Sequence, residues 1–166
     1  MCKKDLVKVI SSGIGATFLM DLFNKLGALL GWVYRMDLTF LGCVFNGWIN
    51  GVYTYKSPAE LLESGGTKAQ GMFGHYLIGI IFSFFLYFLL RRFRLNENEI
   101  YTTAIILGLS ATIFSLILIF PTTGFGLFGW KVGMGLLGSS IFNHVGFGFG
   151  LAIFYRLFDL NYKNAI

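Results

Sequence analysis

Three residues that can carry out chemistry lie inside long apolar segments of the sequence: Asp21, His75 and His144. Two imidazoles and a carboxylate can bind a divalent metal ion that keeps an open coordination position. Histidine also titrates near neutral pH, so the same residues can relay protons. The helical rise places Asp21 about 13 Å, His75 roughly 6 Å and His144 roughly 9 Å from the outer ends of their segments. The spacing therefore predicts that all three lie in one half of a helix bundle.

The first hypothesis for these residues is a small polar pocket that opens to the non-cytoplasmic side. Lys25 follows Asp21 by four residues, so acid and base share a helix face and are expected to pair. A metal site formed by Asp21, His75 and His144 is a narrower alternative, because no tight ligand spacing such as H-E-x-x-H is present. In a third reading these groups satisfy one another without a ligand. The predicted pocket residues are Asp21, Asn24, Lys25, His75, Asn143 and His144.

The composition indicates which elements must position these residues. The chain has 166 residues, of which 55% are hydrophobic and only 13% are charged, and its mean hydropathy is +0.70. An ordinary soluble domain has about 25% charged residues, so this class of protein is excluded. Disordered and disulfide-rich secreted chains do not fit either. An integral membrane protein remains, and a span of about 20 residues allows four helices with short loops.

Stretches without charged residues predict the four spans, because a charge at the bilayer centre is costly. We expect an all-α, single-domain bundle with transmembrane helices at about 6–30, 70–91, 100–121 and 138–158. Pro121 is expected to end the third span, since proline disfavours helical geometry in the residue before it. Residues 122–138 then form a glycine-rich turn. The segment 38–53 has one apolar and one polar face, which predicts a short interfacial or re-entrant helix after the first span.

Lysine and arginine residues orient the bundle. With four spans and a cytoplasmic N-terminus, eight of them lie inside and four outside, and Lys25 lies in the membrane. A fifth span at 38–55 would give six on each side, so the positive-inside rule favours four spans with both termini cytoplasmic. Cys2 and Cys43 then lie on opposite sides and cannot pair. The expected partner is the lipid bilayer, and no basic surface indicates nucleic-acid binding.

Each predicted span carries a row of small or polar residues at helical spacing. Small residues let membrane helices approach closely, and ionisable groups avoid lipid, so the four rows are expected to face a common interior. Gly13, Thr17, Gly79, Gly108 and Gly148 are the predicted packing positions. The rows are Gly13, Thr17, Asp21, Asn24, Lys25 and Ala28; Gly71, His75, Gly79 and Ser83; Ala104, Gly108, Thr112 and Ser115; and Ser140, His144, Gly148 and Ala152.

Four short strings in the sequence resemble a known family. They are GIGATFLMDL at 13–22, HYLIG at 75–79, GFG at 124–126 after Pro121, and HVGFGFGL at 144–151. Together they are similar to a bacterial family that shares domain of unknown function 2938. The resemblance implies a small inner-membrane protein and no established activity. Asp21, His75 and His144 all fall within these strings.

The sequence leaves three functions open. We expect a non-enzymatic protein of the bacterial cytoplasmic membrane that binds or passes a small solute, proton or ion and needs no cofactor. Four closely packed helices leave little room for a pore, so transport is expected to require a homo-oligomer. The alternatives are a membrane enzyme that uses Asp21, His75 and His144 on a metal, and an assembly protein whose polar groups only fix helix register.

Overall fold

The computed structural model describes residues 3–96 and 99–158, and these residues are helical and contain no strand. Cys2 and Lys163, which entered the topology prediction, lie outside them. Four helices are long and apolar enough to cross a membrane, and a shorter apolar helix follows the first, which confirms the predicted fold class. The helices are α1 (Lys3–Leu29), α2 (Leu38–Ile49), α3 (Pro58–Leu62), α4 (Lys68–Phe93), α5 (Glu99–Thr122) and α6 (Met134–Leu157).

The four long helices keep much of their apolar surface exposed. In the most apolar window of each, only 28% to 44% of the residues are buried within the protein. Large side chains such as Phe18, Phe73, Phe88 and Ile106 point outward with most of their surface exposed. A helix that is apolar on all sides suits hydrocarbon surroundings better than water. These features support a multi-pass membrane protein.

The short helix α2 begins and ends at residues with local hydrogen bonds. The Asp37 carboxylate accepts hydrogen bonds from the backbone amides of Thr39 at 2.8 Å and Phe40 at 3.3 Å. An acidic N-cap of this kind satisfies amides that have no partner inside the helix. The helix ends at Asn50 and Gly51, and Gly51 has a φ of +77°, which glycine adopts without a steric penalty. Local sequence signals thus define α2.

The end of α5 differs from the expectation for a proline. Phe120 keeps helical geometry directly before Pro121, and the helix continues to Thr122. A π-helical turn at Ser115–Ile119 precedes the proline, and the Phe120 amide donates to the Ser115 carbonyl. The wider turn changes the hydrogen-bond register just before the residue that lacks an amide. The Thr122 hydroxyl then donates to the carbonyls of Leu118 and Ile119, each at 2.9 Å. The two carbonyl oxygens therefore have a hydrogen-bond donor near the proline, as backbone groups inside a membrane require.

The glycine-rich segment after α5 is shorter than predicted. The backbone turns at Gly124, Gly126 and Gly129, all with positive φ. Helix α6 then begins at Met134, about one turn before the expected start at residue 138. Gly135 and Gly138 made that turn look like a loop, because glycine disfavours a helix interior. In the structure the Ser139 hydroxyl donates to the Gly135 carbonyl at 2.7 Å within this first turn.

The chain forms two compact units. The described residues of unit 1 fall within Met1–Phe23, Tyr76–Ser110 and Asn143–Ile166, and those of unit 2 within Asn24–His75 and Ala111–Phe142. Unit 1 contains a core cluster with fully buried Val9, Leu86, Leu90 and Leu151. A smaller cluster in unit 2 is centred on Cys43, Val44 and Leu61.

Glycines set the distance between helices within unit 1. A Cβ atom at Gly148 of α6 would lie 2.5 Å from the Ala104 carbonyl oxygen and 2.8 Å from the Ile105 Cα of α5. A Cβ atom at Gly13 of α1 would lie 2.6 Å from the Ile80 Cα of α4. These neighbours are backbone atoms and cannot rotate away. The two helix pairs therefore depend on glycine for their contact.

We predict that Gly148→Ala lowers the free energy of unfolding by about 1–3 kcal/mol, because the added methyl group overpacks a contact between backbones. Gly138→Ala is the matched control on the same helix, since its Cβ would meet no atom within 4 Å. It should be neutral or stabilise by up to about 1 kcal/mol. Unfolding titrations with SDS in mixed micelles measure both variants. Equal stability of the two would contradict the packing role of Gly148.

Candidate functional site

A carboxylate and a phenol meet between two membrane-crossing helices. The Tyr76 hydroxyl of α4 donates a hydrogen bond to Asp21 Oδ2 of α1 at 3.0 Å. Both side chains belong to unit 1 and are half-buried. Asp21 lies eight residues before the end of α1 at Leu29, or about 12 Å along the helix axis. An ionisable group at this position is therefore held within the span by a partner from the neighbouring helix.

The α1–α4 interface in unit 1 continues from this pair with one contact for each helical turn. The Thr17 hydroxyl donates to the Gly13 carbonyl at 2.8 Å and lies against Gly79. Further along, the Ser83 hydroxyl donates to the Val9 carbonyl at 2.7 Å. Residues progressively earlier in α1 contact residues progressively later in α4, so the two helices are antiparallel. Five of the predicted row positions, Gly13, Thr17, Asp21, Gly79 and Ser83, lie in this interface.

A second carboxylate–phenol pair lies at the other end of the same interface. The Tyr87 hydroxyl is 3.4 Å from Asp5 Oδ2, and Asp5 is only 8% exposed. Arg91 donates to the Tyr87 hydroxyl at 3.3 Å, and its guanidinium lies 5.6 Å from the centre of the Tyr87 ring. Asp5 therefore belongs to a hydrogen-bonded group that includes a cation.

The pairing partner of Asp21 was missed by the sequence analysis. The sequence predicted the adjacent His75 as a neighbour of Asp21, and the structure shows a hydrogen bond to Asp21 from Tyr76. The signal lay in the spacing, since Tyr76, Gly79, Ser83 and Tyr87 recur every three or four residues along one face of α4. The predicted row on α4 shares Gly79 and Ser83 with this face and differs from it in including Gly71 and His75 and not Tyr76.

Asn24 has a local role in unit 2. Its amide nitrogen donates to the Tyr34 carbonyl at 3.0 Å, and its amide oxygen accepts from the Met36 amide at 2.9 Å. The side chain is only 4% exposed. The backbone amide of Tyr34 in turn donates to the Ser139 hydroxyl at 2.8 Å. Asn24 and Ser139 thus hold the segment between α1 and α2 in place through side-chain hydrogen bonds to its backbone.

The other predicted pocket residues are divided between the two units. Asn143 and His144 are half-buried in unit 1, and the His144 carbonyl lies against Gly108 of α5. His75 is half-buried in unit 2, whereas the Lys25 side chain is exposed. Lys25 lies four residues before the end of α1, so its long side chain can carry the ammonium toward the interface. Tyr76 is one hydrogen-bond partner of the Asp21 carboxylate, and the pairing of Asp21 with Lys25 stays a prediction.

A metal centre receives no support from the structure. Across residues 3–96 and 99–158, no group of three or more His, Cys, Asp or Glu side chains is placed to hold a metal ion. The trio Asp21, His75 and His144 was the sequence-based candidate. The contact that the structure shows at Asp21 is the hydrogen bond from Tyr76.

Comparison with known proteins identifies the family. The sequence profile of the protein of unknown function family DUF2938 matches residues 10–156, which is most of the chain. The chain belongs to the DUF2938 family. This confirms the resemblance inferred from the four strings. No curated protein and no solved structure matches the DUF2938 chain.

For the DUF2938 chain we predict that Asn24→Ala lowers the free energy of unfolding by about 1–3 kcal/mol, because the variant leaves the Tyr34 carbonyl and the Met36 amide without this partner. Limited proteolysis should cut the segment between α1 and α2 faster than in the parent protein. Lys25→Ala, at the next position and exposed, should change neither stability nor cleavage. Equal cleavage rates for Asn24→Ala and Lys25→Ala would show that Asn24 does not hold the segment between α1 and α2 in place.

Proposed function

We propose that this DUF2938 protein binds or passes a proton, or another small ion or solute, and that Asp21 is the group that titrates. The observation that supports this proposal is the half-buried Asp21 carboxylate, which lies within a membrane-crossing helix and accepts a hydrogen bond from Tyr76. Ionisable residues inside spans are costly and are usually retained for function. The proposed activity therefore depends on the Asp21 carboxylate.

The chemistry at Asp21 follows from what its partner can supply. The Tyr76 hydroxyl donates a hydrogen bond to Asp21 Oδ2. A carboxylate can take up a proton or accept contacts from a small cation. His144, in the same compact unit, and His75, in the other, are the further titrating groups of this proposal.

The location and assembly of the protein are part of the same proposal. Eight lysine and arginine residues flank one side of the four spans and four flank the other, which favours cytoplasmic termini in a bacterial inner membrane. Asp21 then lies in the non-cytoplasmic half. The glycine contacts in unit 1 bring helix backbones together and leave little space for a passage. Transport would accordingly require a homo-oligomer.

An assembly role is the second candidate, and one observation favours it. The Ser83 hydroxyl lies 3.3 Å from the Tyr155 hydroxyl and donates to the Val9 carbonyl, so three helices are joined by buried polar groups. Such a network can fix helix register without any ligand. The Asp21–Tyr76 hydrogen bond would then have the same purpose. A flux measurement separates the two roles, because only the first requires Asp21 to exchange protons.

The test uses proteoliposomes that contain a trapped pH-sensitive dye. After an acid pulse we expect proton entry with the parent protein and entry at the level of empty liposomes with Asp21→Asn, which cannot titrate. Tyr76→Phe should slow entry about two- to tenfold, the range expected when one hydrogen bond is lost. Asp5→Asn is the matched control on the same helix and should retain the parent rate.

Thermal unfolding of each variant in micelles completes the experiment. A folded parent protein that admits no protons, with Asp21→Asn and Tyr76→Phe that only lower the unfolding midpoint, would support the assembly role instead. Loss of flux in Asp5→Asn to the same extent as in Asp21→Asn would show that general stability, and not titration at Asp21, controls the rate.

A further inference from the structure

A cavity of 310 Å³ lies in unit 2, between α2, α3 and the segment that joins them. Tyr55 forms part of its wall, and the Tyr55 backbone amide donates to the Thr122 carbonyl at 2.7 Å. The Tyr55 ring reaches α2 at Gly47, where a Cβ atom would collide with the phenol oxygen. The Val52 amide donates to the Gly47 carbonyl at 2.8 Å. The wall is therefore held by backbone hydrogen bonds and exists without a ligand.

Two side-chain amides and a serine hydroxyl around this cavity donate to carbonyls of the protein. The Asn46 amide nitrogen donates to the Ser64 carbonyl at 2.6 Å, and the Asn50 amide nitrogen donates to the Asn46 carbonyl at 2.8 Å. The Ser64 hydroxyl donates to the Cys43 carbonyl at 3.2 Å. Each of these side chains uses one donor within the protein, whereas ionised carboxylates in the lining can only accept.

Two carboxylates supply most of these acceptors. Glu60 uses one oxygen to accept from the Lys56 amide at 2.6 Å, which leaves its second oxygen. Glu63 is exposed and contributes a second negative charge. The described lining residues include no Lys, Arg or His to neutralise this charge. The Tyr55 hydroxyl is buried and has no hydrogen-bond partner among the described residues.

We propose that this cavity binds a small organic ammonium compound. The acceptors and charges of Glu60 and Glu63 complement a ligand with N–H donors and positive charge. The Tyr55 ring adds a face on which a cation is stabilised. The volume is at the lower end of the range for small-molecule sites, which is far larger than a bare metal ion needs. This site is independent of Asp21, so it stands or falls separately from the proposed function.

The test uses the full-length protein in uncharged detergent micelles and 1,4-diaminobutane as the probe. Calorimetry should show saturable binding of the diamine and none of 1,4-butanediol, which has a similar shape without charge. Glu63→Gln should weaken binding about threefold, as expected for an exposed ion pair, and Glu60→Gln with Glu63→Gln about tenfold. Tyr55→Leu, which removes the aromatic ring, should weaken binding about two- to tenfold.

Asp37→Asn is the matched control, because it removes one carboxylate from unit 2 outside the cavity and asparagine still caps α2. Its affinity for the diamine should equal that of the parent protein. The proposal is overturned by absence of saturable binding, by equal binding of 1,4-butanediol, or by unchanged affinity in the double Glu variant. Calcium that binds more tightly than the diamine and displaces it would also overturn the assigned ligand class.

Discussion

Helix backbones in unit 1 approach one another where glycine leaves no side chain between them, and the remaining contacts depend on this approach. At Gly148 and Gly108, α5 and α6 meet backbone to backbone, and at Gly13 and Gly79 so do α1 and α4. In lipid, water expulsion does not drive helices together, so packing and hydrogen bonds must do so. A short distance between backbones lets serine and threonine hydroxyls reach carbonyls on the neighbouring helix. Ser83 and Val9 are the clearest example.

The same approach explains the position of the ionisable groups. Asp5 and Asp21 lie sixteen residues apart on α1, at four-residue steps from one another through Val9, Gly13 and Thr17. A carboxylate on this face is turned toward α4 and away from lipid. Each carboxylate meets a tyrosine there, because a phenol is long enough to bridge two helices and can donate a hydrogen bond. The interface thus places a polar group near each end and small residues in the middle.

Sequence patterns predicted the elements better than the partners within them. The charge-free stretches identified four long helices, and the small-residue rows identified the faces at Gly13, Gly79, Gly108 and Gly148, because both depend on local spacing. The partner of Asp21 depends on the rotation of α4 by one residue, which separates Tyr76 from His75 and is set by packing along the whole interface. The residues around the cavity in unit 2 were not predicted as a site, since Tyr55, Glu60 and Glu63 come together only when α3 folds against α2.

The π-helical turn in α5 alters the faces of that helix. A turn of this kind contains one more residue than an α-turn, so every side chain after Ile119 is rotated by about 100° relative to an uninterrupted α-helix. The row of Ala104, Gly108 and Thr112 therefore does not continue in a straight line to the end of the helix. The extra residue therefore turns the side chains at the end of α5 to a different side of the helix from the one that uninterrupted α-helical spacing would give them. The Thr122 carbonyl, which accepts a hydrogen bond from the Tyr55 amide, lies after this turn.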